Sequence, residues 1–510
     1  MKTTLPTAED LLFGPALSDK KHKAIIQALK DDEVEDSYEQ FYSRVGGFEK
    51  FLQEKGVKKG DVVVFLSPNT IALAVGILGS WRNEAMAVPI DFKMTAPEVA
   101  NVVKSTKAKY LFMSKRFPEK DKLRTLLAED QDKLLELELS VPDPSDAIAY
   151  EQKPFTNDFD ALMILTSGTT GVPKGAVHTF KTLVANLGEL GEIASLNENI
   201  KSLLPLPVSH IFGLEVLSAC LMNGATTIFA ELEPTRFVQA INGYKPEIIS
   251  GVPLMYDGLL RAPALAVHLD NAKILLCGGA PLPVALAEDF EKRYKKRINN
   301  GYGSTESKII ALNLDGPKES IGKVVPSCKI HIISEDGQKQ PEGTEGEIVI
   351  DSPYLMKEYF DQPEKTKEVL TADGYKTGDV GYYKDGYLFI SGRAKDMIIV
   401  AGNKVFPSEV EGVLLKSRLV KEAAVTGKEH SRLGQIVKAT LVVADDRLSK
   451  FLESDNEEER KIAREEILKE LKAHCAENLK RELRPMEWVL RPTSEPLPKT
   501  RAGKVDKKLL

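Results

Sequence analysis

The segment from Ala161 to Gly175 reads ALMILTSGTTGVPKG, and its two halves differ in character. The first five residues form an apolar run typical of a buried strand. The remainder interleaves three glycines with hydroxyl side chains and includes Lys174. Glycines let backbone N–H groups turn toward a polyanion, hydroxyls add donors, and a lysine supplies a compact charge. The segment predicts a strand followed by a loop that holds the phosphates of a nucleotide, with a solvated surface loop as the alternative.

Length and composition predict a globular protein of at least two domains. A chain of 510 residues exceeds what one hydrophobic core supports. Hydrophobic residues make up 42% and charged residues 28%, as in ordinary globular proteins. The net charge of -6 provides no field that would attract nucleic acid or anionic lipid, so neither is expected as a partner.

Cysteine spacing and the N-terminus favour a cytoplasmic protein. The four cysteines form no Cys-x-x-Cys pair, which predicts buried reduced thiols rather than a zinc site or disulfides; they are Cys220, Cys277, Cys328 and Cys475. Residues 1–20 lack the apolar core of a signal peptide. The longest apolar stretch, residues 71–81, is too short to span a bilayer, so no integral membrane segment is expected.

Hydrophobic periodicity predicts an α/β fold. Helical and strand-like segments alternate from residue 37 to residue 113 and again after the glycine loop, which indicates mostly parallel sheets in a large N-terminal domain. Residues 329–350 and 382–390 alternate in short, turn-rich runs typical of a small antiparallel barrel or sheet. After residue 394 we expect a smaller α+β domain with strands near 423–425 and 439–443. A charged helix is expected at about 457–483, with one face formed by Leu468, Leu471, Cys475 and Leu479.

Three further segments suit nucleotide chemistry. Residues 300–306, NGYGSTE, allow close backbone approach to a flat ligand, and Glu306 is a hard-oxygen ligand suited to Mg²⁺. Asp379 lies near glycines and could accept ribose hydroxyls, with Arg393 nearby. Gly503 beside Lys504 could deliver one ammonium into a cleft. Taken singly, the alternatives are a polar loop, a turn cap and a frayed basic tail.

Together, in this order and spacing, the four segments resemble the adenylate-forming superfamily of acyl-CoA synthetases, adenylation domains of peptide synthetases and firefly luciferase. The resemblance extends from residues 87–91 to Lys504. It implies an enzyme in which a carboxylate attacks the α-phosphate of ATP, giving an acyl-adenylate and pyrophosphate, after which a thiol displaces AMP. ATP, Mg²⁺ and CoA are the cofactors it implies.

The resemblance also implies roles for individual residues. The phosphates of ATP would be held by Thr166, Ser167, Gly168, Thr169, Thr170 and Lys174. The adenine side of the site would comprise Gly278, Gly279, Ala280, Asn300, Gly301, Tyr302 and Gly303. Thr305 would contact the α-phosphate, and Glu306 would bind Mg²⁺ with Thr170. Asp379 would accept the ribose hydroxyls, assisted by Arg393.

The C-terminal part, by the same resemblance, is a mobile domain of residues 395–510 that follows an adenylation domain of residues 1–394. Lys504 looks like the family's catalytic lysine, whose cation would stabilise charge on the transferring phosphoryl group. Lys395 matches the pivot, and the face around Gly402 and Lys404 would line the CoA side. Plant coumarate ligases carry a lysine in this strand where the present chain has Ile399.

The segment of residues 204–213 matches the border of the family's acyl pocket, and His210 is a candidate gate, with a satisfied core histidine as the alternative. Amino-acid-activating relatives usually carry an aspartate near here that pairs the substrate ammonium, whereas this chain has Pro207, Val208 and Ser209 before His210. The resemblance therefore favours an acid without an α-amino group. Other candidates for the pocket wall are Phe212, Val216, Val252, Gly279, Gly303 and Ile309. This apolar set suits a fatty chain and an aryl ring equally.

We therefore expect an AMP-forming acyl-CoA ligase acting on a fatty or aryl carboxylic acid. A stand-alone adenylation enzyme that loads a carrier protein in trans is the alternative, and a homodimer is possible. A non-catalytic adenylate-binding protein would be expected to lack Lys504, Glu306 or Asp379, and all three are present.

Overall fold

The computed structural model describes residue 12 and residues 19–29, 32–143, 158–166, 174–261, 266–499 and 505–510. The strands are β1 (Lys23–Leu29), β2 (Asp32–Ser37), β3 (Val62–Leu66), β4 (Met86–Ile90), β5 (Tyr110–Met113), β6 (Leu134–Glu136), β7 (Asp160–Thr166), β8 (Lys174–Thr179), β9 (Lys201–Leu204), β10 (Thr226–Ala230), β11 (Ile248–Gly251), β12 (Ile274–Cys277), β13 (Ile298–Ser304), β14 (Lys308–Asn313), β15 (Lys323–Val324), β16 (Lys329–Ile333), β17 (Gly346–Asp351), β18 (Glu358–Tyr359), β19 (Leu370–Thr371), β20 (Gly374–Lys384), β21 (Tyr387–Arg393), β22 (Ile398–Val400), β23 (Asn403–Val405), β24 (Val420–His430), β25 (Gly434–Val443) and β26 (Glu487–Arg491). The helices are α1 (Tyr38–Glu54), α2 (Ile71–Arg82), α3 (Ala96–Ser105), α4 (Lys120–Leu126), α5 (Leu137–Ser140), α6 (Phe180–Val184), α7 (Leu187–Ile193), α8 (Ile211–Met222), α9 (Pro234–Tyr244), α10 (Pro253–Arg261), α11 (Val284–Tyr294), α12 (Pro363–Val369), α13 (Pro407–Leu414), α14 (Asp446–Leu452) and α15 (Glu457–Asn478).

Side-chain caps set where the first helices begin. Helix α1 starts after Ser37, whose hydroxyl accepts the Gln40 N–H at 3.2 Å while the Gln40 side chain accepts the Ser37 N–H at 2.8 Å. This reciprocal capping box satisfies two donors that a helix N-terminus otherwise leaves unpaired. Helix α2 begins after Thr70, which makes a one-way cap because its hydroxyl accepts the Leu73 N–H at 3.1 Å.

Two large sheets form the N-terminal domain, and most of their strand pairs are parallel. One has nine strands in the order β15-β14-β13-β12-β11-β9-β10-β1-β2, and the other has seven in the order β18-β8-β7-β4-β3-β5-β6. Antiparallel pairs occur only toward the ends of the two orders, among the strands that the structure describes. The predicted fold class is confirmed.

Helices α2 and α8 lie in the core that joins the two sheets. Nearly every residue of both helices is buried, as their almost uniformly apolar sequences require. Their side chains belong to one hydrophobic cluster that includes strands of both large sheets. The single charged residue within α8 is Glu215, which is only 3% exposed.

The antiparallel segment and the C-terminal domain follow the expected order with different details. Strands β16, β17, β19, β20 and β21 form a five-stranded antiparallel sheet. In the C-terminal domain the two predicted strands are longer, and the structure adds β26 and the three-residue strands β22 and β23, which are too short to give a clear pattern. Helix α15 ends at Asn478 because the next residue, Leu479, has extended backbone angles. Its buried face contains Ile467, whereas the predicted Leu468 is half-buried, since a period of 3.6 residues places Ile467 in line with Leu471 and Cys475.

A short 3₁₀ turn, Ala394–Asp396, connects the last strand of the antiparallel sheet to the C-terminal domain. Across this junction the Ser408 hydroxyl donates to the Ser391 carbonyl at 2.5 Å, and Lys404 Nζ lies 2.6 Å from a carboxylate oxygen of Glu335. The four cysteines are all free and buried, as expected. Among the helices of the described ranges, none combines the length and apolarity needed to cross a membrane.

Candidate functional site

Tyr302, Asp379 and Arg393 form a hydrogen-bonded group between two sheets. The Tyr302 hydroxyl donates to Asp379 Oδ2 at 2.6 Å, and Arg393 Nε lies 2.7 Å from Oδ1. Strand β13 of the nine-stranded sheet carries the tyrosine, and the antiparallel strands β20 and β21 bring the other two residues opposite each other. Asp379 is 6% exposed, so its charge needs these donors. Burial, reinforced by the Asp379 charge, raises the pKa of Tyr302 well above its usual value, so the hydroxyl stays protonated as a donor.

Glu306 and Lys174 both contact the side chain of Tyr359. The Tyr359 hydroxyl donates to Glu306 Oε1 at 2.7 Å, and Lys174 Nζ lies 4.8 Å from the centre of the same ring. Burial, followed by the charge of Glu306, raises the pKa of the Tyr359 hydroxyl, which keeps it a donor. The contact joins the start of β8, at the C-terminal end of the glycine loop, to the segment that follows β13. Tyr359 was not predicted as a site residue.

Glycines permit close backbone packing at this site. A Cβ on Gly303 would lie 2.0 Å from the Lys308 carbonyl oxygen, so only glycine fits without moving the backbone. Gly278 packs against the Phe212 ring, where a Cβ would lie 3.1 Å from a ring carbon. Gly279 has a φ of +76°, a conformation that glycine adopts readily. The two predicted glycine segments thus pack against Phe212, a predicted residue of the acyl pocket, and against the turn that carries Glu306.

The backbone of the turn at Thr305 and Glu306 is held from two sides. The His178 side chain approaches the Thr305 carbonyl with Nε2 at 2.8 Å, and the Met356 N–H donates to the Glu306 carbonyl at 2.7 Å. His178 was not predicted as a site residue. A histidine that directly follows the buried apolar pair Ala176 and Val177 in β8 is the signal that could have drawn attention to it.

The remaining predicted residues occupy varied positions. Thr166 ends β7, and its hydroxyl donates to the Lys174 carbonyl at 3.3 Å. His210 caps α8 and is half-buried. Ala280, Asn300, Gly301, Phe212 and Val252 are half-buried, while Val216 and Ile309 are buried. Lys395, Gly402 and Lys404 are exposed on the C-terminal side of the junction, as is Ile399. Ser167, Gly168, Thr169, Thr170 and Lys504 lie outside the described residues.

The acidic side chains suit a cation that binds mainly through a substrate. Among the residues that the structure describes, no three His, Cys, Asp or Glu side chains cluster as a metal site. Glu306 offers a single carboxylate, oriented by Tyr359. Mg²⁺ is usually held by one or two carboxylates together with substrate phosphates and water, and this donor set fits that mode.

Comparison with known proteins decides the family. The sequence profile of AMP-binding enzymes matches residues 16–360, more than half of the chain, and that of the AMP-binding enzyme C-terminal domain matches residues 409–504. This chain belongs to the AMP-binding enzyme family. It is accordingly an AMP-forming acid–thiol ligase of the acyl-CoA synthetase type, and the expected membership of the adenylate-forming superfamily is confirmed.

Curated and solved members of the AMP-binding enzyme family cover most of this chain. A feruloyl-CoA synthase of Amycolatopsis sp is 31% identical over 423 residues, covering 80% of this chain and 84% of that protein. A long-chain-fatty-acid–CoA ligase of Mycobacterium tuberculosis is 28% identical over 476 residues, covering 90% and 89%. The structure of o-succinylbenzoate CoA synthetase from Bacillus subtilis, solved with its acyl-adenylate intermediate, superposes with a TM-score of 0.80 at 25% identity and covers 97% and 96% of the two chains.

Proposed function

We propose that this chain converts a carboxylic acid without an α-amino group into its acyl-adenylate with release of pyrophosphate, and then transfers the acyl group to CoA. The observation that carries the proposal is a pair of tyrosine contacts: the Tyr302 hydroxyl donates to Asp379, and the Tyr359 hydroxyl donates to Glu306 while the Tyr359 ring faces Lys174. Nucleotide hydroxyls and phosphates are the ligands that such a combination of acceptors and cations suits.

Asp379 is proposed to hold the ribose. Tyr302 and Arg393 donate to different oxygens of its carboxylate, and an ionised carboxylate is an acceptor that suits hydroxyl donors. Those two donors also fix the plane of the carboxylate, so the ribose hydroxyls meet acceptors that are already oriented. Gly278, Gly279 and Ala280, with Asn300 and Gly301, would then border the adenine.

The phosphates are proposed to lie between the glycine loop and the turn at Thr305. Lys174 would attract the β- and γ-phosphates together with the loop hydroxyls, and Thr305 would contact the α-phosphate. Glu306 would hold Mg²⁺, with Thr170 as a second ligand. When bound, the cation would neutralise charge on the phosphate oxygens. The Tyr359 hydroxyl would keep the Glu306 carboxylate aimed at that position.

The C-terminal domain, residues 395–510, is proposed to move relative to residues 1–394. Lys504 would supply a cation beside the reacting phosphorus in adenylation, and rotation about Lys395 would replace it with the face around Gly402 and Lys404 for thioester formation. Lys404 pairs with Glu335 of the antiparallel sheet and would have to leave that partner to meet CoA. Lys504→Ala should lower adenylation by on the order of a hundredfold, because one preorganised donor contributes about that much.

The substrate is proposed to be an aryl or long-chain fatty acid. Two of the relatives named above are a feruloyl-CoA synthase and a long-chain-fatty-acid–CoA ligase. The candidate pocket wall is apolar, with Val216 and Ile309 buried and the Phe212 ring against Gly278. His210 would stand at its entrance. We also propose a cytoplasmic location and a homodimer. Transfer of the acyl group to a carrier protein in trans is the alternative to transfer to CoA.

Pyrophosphate release tests the function. The purified protein would be given ATP, Mg²⁺ and one acid at a time, from short to long fatty acids and from benzoic to ferulic acid. We expect release with at least one acid, and conversion of that acid to a thioester when CoA is added. Thioester formation only on a phosphopantetheinylated carrier would support the alternative acceptor, whereas no release with any acid would refute adenylation of this substrate class.

A further inference from the structure

Three buried ionisable side chains outside the nucleotide contacts lie directly behind the turn at Thr305 and Glu306. Glu215 comes from helix α8, His178 from strand β8, and Lys308 from the first position of β14. All three are nearly inaccessible, at 3%, 0% and 1% exposure. Charged side chains are rarely buried without a partner because desolvation is costly, so their arrangement needs a reason.

Hydrogen bonds connect two of the three side chains to the backbone of the turn. Lys308 Nζ donates to the Tyr354 carbonyl and lies 3.4 Å from His178 Nδ1. His178 Nε2 lies 2.8 Å from the Thr305 carbonyl. A carbonyl can only accept, so Nε2 carries the ring proton and Nδ1 is the acceptor that faces the ammonium. The contacts therefore run from Lys308 through His178 to Thr305.

Glu215 fixes the other side of the same turn. Both of its carboxylate oxygens accept the Ile309 N–H at 3.2 Å, and Oε1 also accepts the Asn186 amide at 2.6 Å. Ile309 follows Lys308, whose φ of +62° is a left-handed conformation that disfavours a side chain. The carboxylate thus stabilises the chain where Lys308 is turned inward, and its charge balances the ammonium.

The protonation states fit this arrangement. Burial, followed by the nearby Lys308 charge, lowers the pKa of His178 well below its usual value, so the ring stays neutral. Burial raises the pKa of Glu215, and the positive charge of Lys308 counteracts that rise. Burial lowers the pKa of Lys308, and the negative charge of Glu215 counteracts that fall. Cys328 is the other titratable group whose charge acts on Lys308.

We propose that Glu215, Lys308 and His178 are positioning residues for adenylation, holding the Thr305 and Glu306 backbone in the place that receives the phosphates. The proposal rests on the proposed function. It assigns these buried charges to the first half-reaction and not to the general stability of the fold. Thioester formation from a preformed adenylate involves neither attack on the α-phosphate nor the β- and γ-phosphates, so it should be much less sensitive to the same changes than adenylation.

The test separates positioning from stability with four variants. Lys308→Met and Glu215→Gln each leave one buried partner uncompensated, whereas the double variant removes both, so its stability should recover toward that of the wild type. Adenylation should stay at least about tenfold reduced in both singles and the double. Lys308→Met removes the donor that faces His178 and the Tyr354 carbonyl, and Glu215→Gln removes the charge that balances the ammonium, although its amide oxygen can still accept the Ile309 N–H. Arg82→Met is the matched control, since Arg82 and Glu49 form a buried pair at 2.6 Å with 5% and 9% side-chain exposure elsewhere in the domain.

The assay is ATP–pyrophosphate exchange with ferulic acid and palmitic acid as probes, beside CoA transfer from the synthetic adenylate and urea unfolding. We expect the three cluster variants to lose exchange but keep CoA transfer, and Arg82→Met to lose stability without changing the ratio of the two rates. The proposal would be overturned if, in every variant including Arg82→Met, the rate of ATP–pyrophosphate exchange fell in step with the free energy of unfolding. A wild type inactive in exchange with both probes and the acid panel would refute the proposed function instead.

A second pair of variants, both at His178, tests the proposal even if the first variants do not fold. His178→Gln keeps an amide donor for the Thr305 carbonyl, whereas His178→Leu keeps none. Exchange should be higher in His178→Gln than in His178→Leu. Equal exchange in the two variants would also overturn the positioning role, because the conservative replacement would then rescue nothing.

Discussion

Tyr359→Phe isolates one hydrogen bond at the centre of the site. The change removes the hydroxyl that donates to Glu306 Oε1 at 2.7 Å but keeps the ring beside Lys174, whose Nζ lies 4.8 Å from the ring centre. Tyr359→Leu removes both contacts. The pair of variants therefore distinguishes orientation of the carboxylate from retention of the lysine.

The expected magnitudes follow from the two contacts. A hydrogen bond to a charged group contributes about 1.5–3 kcal/mol, and half-burial of Glu306 favours the lower end, so Tyr359→Phe should lower kcat/KM for ATP about tenfold. A cation–π contact adds about 0.5–2 kcal/mol, so Tyr359→Leu should lose a further few-fold or more. Steady-state ATP–pyrophosphate exchange measures both values, and CoA transfer from preformed adenylate serves as the internal control.

The reasoning would be refuted if Tyr359→Phe matched the wild type in exchange across a titration of Mg²⁺. It would also be refuted if both half-reactions fell together, because the hydroxyl would then support the fold and not Glu306. Urea unfolding of both variants shows whether a change in rate reflects a smaller folded fraction.

Three further predictions concern single contacts. Gly303→Ala should lower the free energy of unfolding by about 1–3 kcal/mol and abolish most adenylation, because the added Cβ would lie 2.0 Å from the Lys308 carbonyl oxygen. The control in urea unfolding is Gly258→Ala, whose added Cβ would lie in open space. Asp379→Asn should raise KM for ATP about tenfold or more because its tyrosine and arginine partners lose a charged acceptor, and an unchanged KM would argue against ribose binding there. His178 is buried, and its pKa in the folded state is depressed. The unfolded chain therefore takes up the proton first as pH falls below about 6.5, and the free energy of unfolding should drop by up to about 1.4 kcal/mol per pH unit. His178→Gln removes this dependence, so the stability difference between wild type and variant should shift in favour of the variant from pH 7 to pH 5; parallel curves would contradict it.

Local patterns predicted the alternation of strands and helices. The apolar runs at Val62–Leu66 and Ile274–Cys277 are strands and residues 71–82 form a helix, in agreement with that alternation. These segments are buried, so their hydrophobic sequence and their structure have the same cause. Glycine and hydroxyl motifs also gave predictions from adjacent residues alone, and their roles in binding a nucleotide stay predictions.

Contacts between residues in distant segments could not be predicted from such local sequence patterns. Tyr359 lies 53 residues after Glu306, and its partner depends on how β18 pairs with β8. The same holds for the face of α15, where the neighbours Ile467 and Leu468 are both apolar and only packing decides which is buried. A pattern in one segment contains no information about the side chain that another segment places against it.

Buried charges are an intermediate case. Glu215 is the only charged residue in an otherwise apolar helix, so the sequence shows that a partner must exist, since an uncompensated buried carboxylate is costly. It cannot show that the partners are Asn186, the Ile309 N–H and the charge of Lys308, which come from other segments. The desolvation of these buried groups is offset by contacts that form only when the turn at Thr305 is in place, such as those to the Thr305 carbonyl and the Ile309 N–H. The charges therefore make the position of that turn part of the folded state, which is why we expect their removal to affect phosphate chemistry before it affects the rest of the fold.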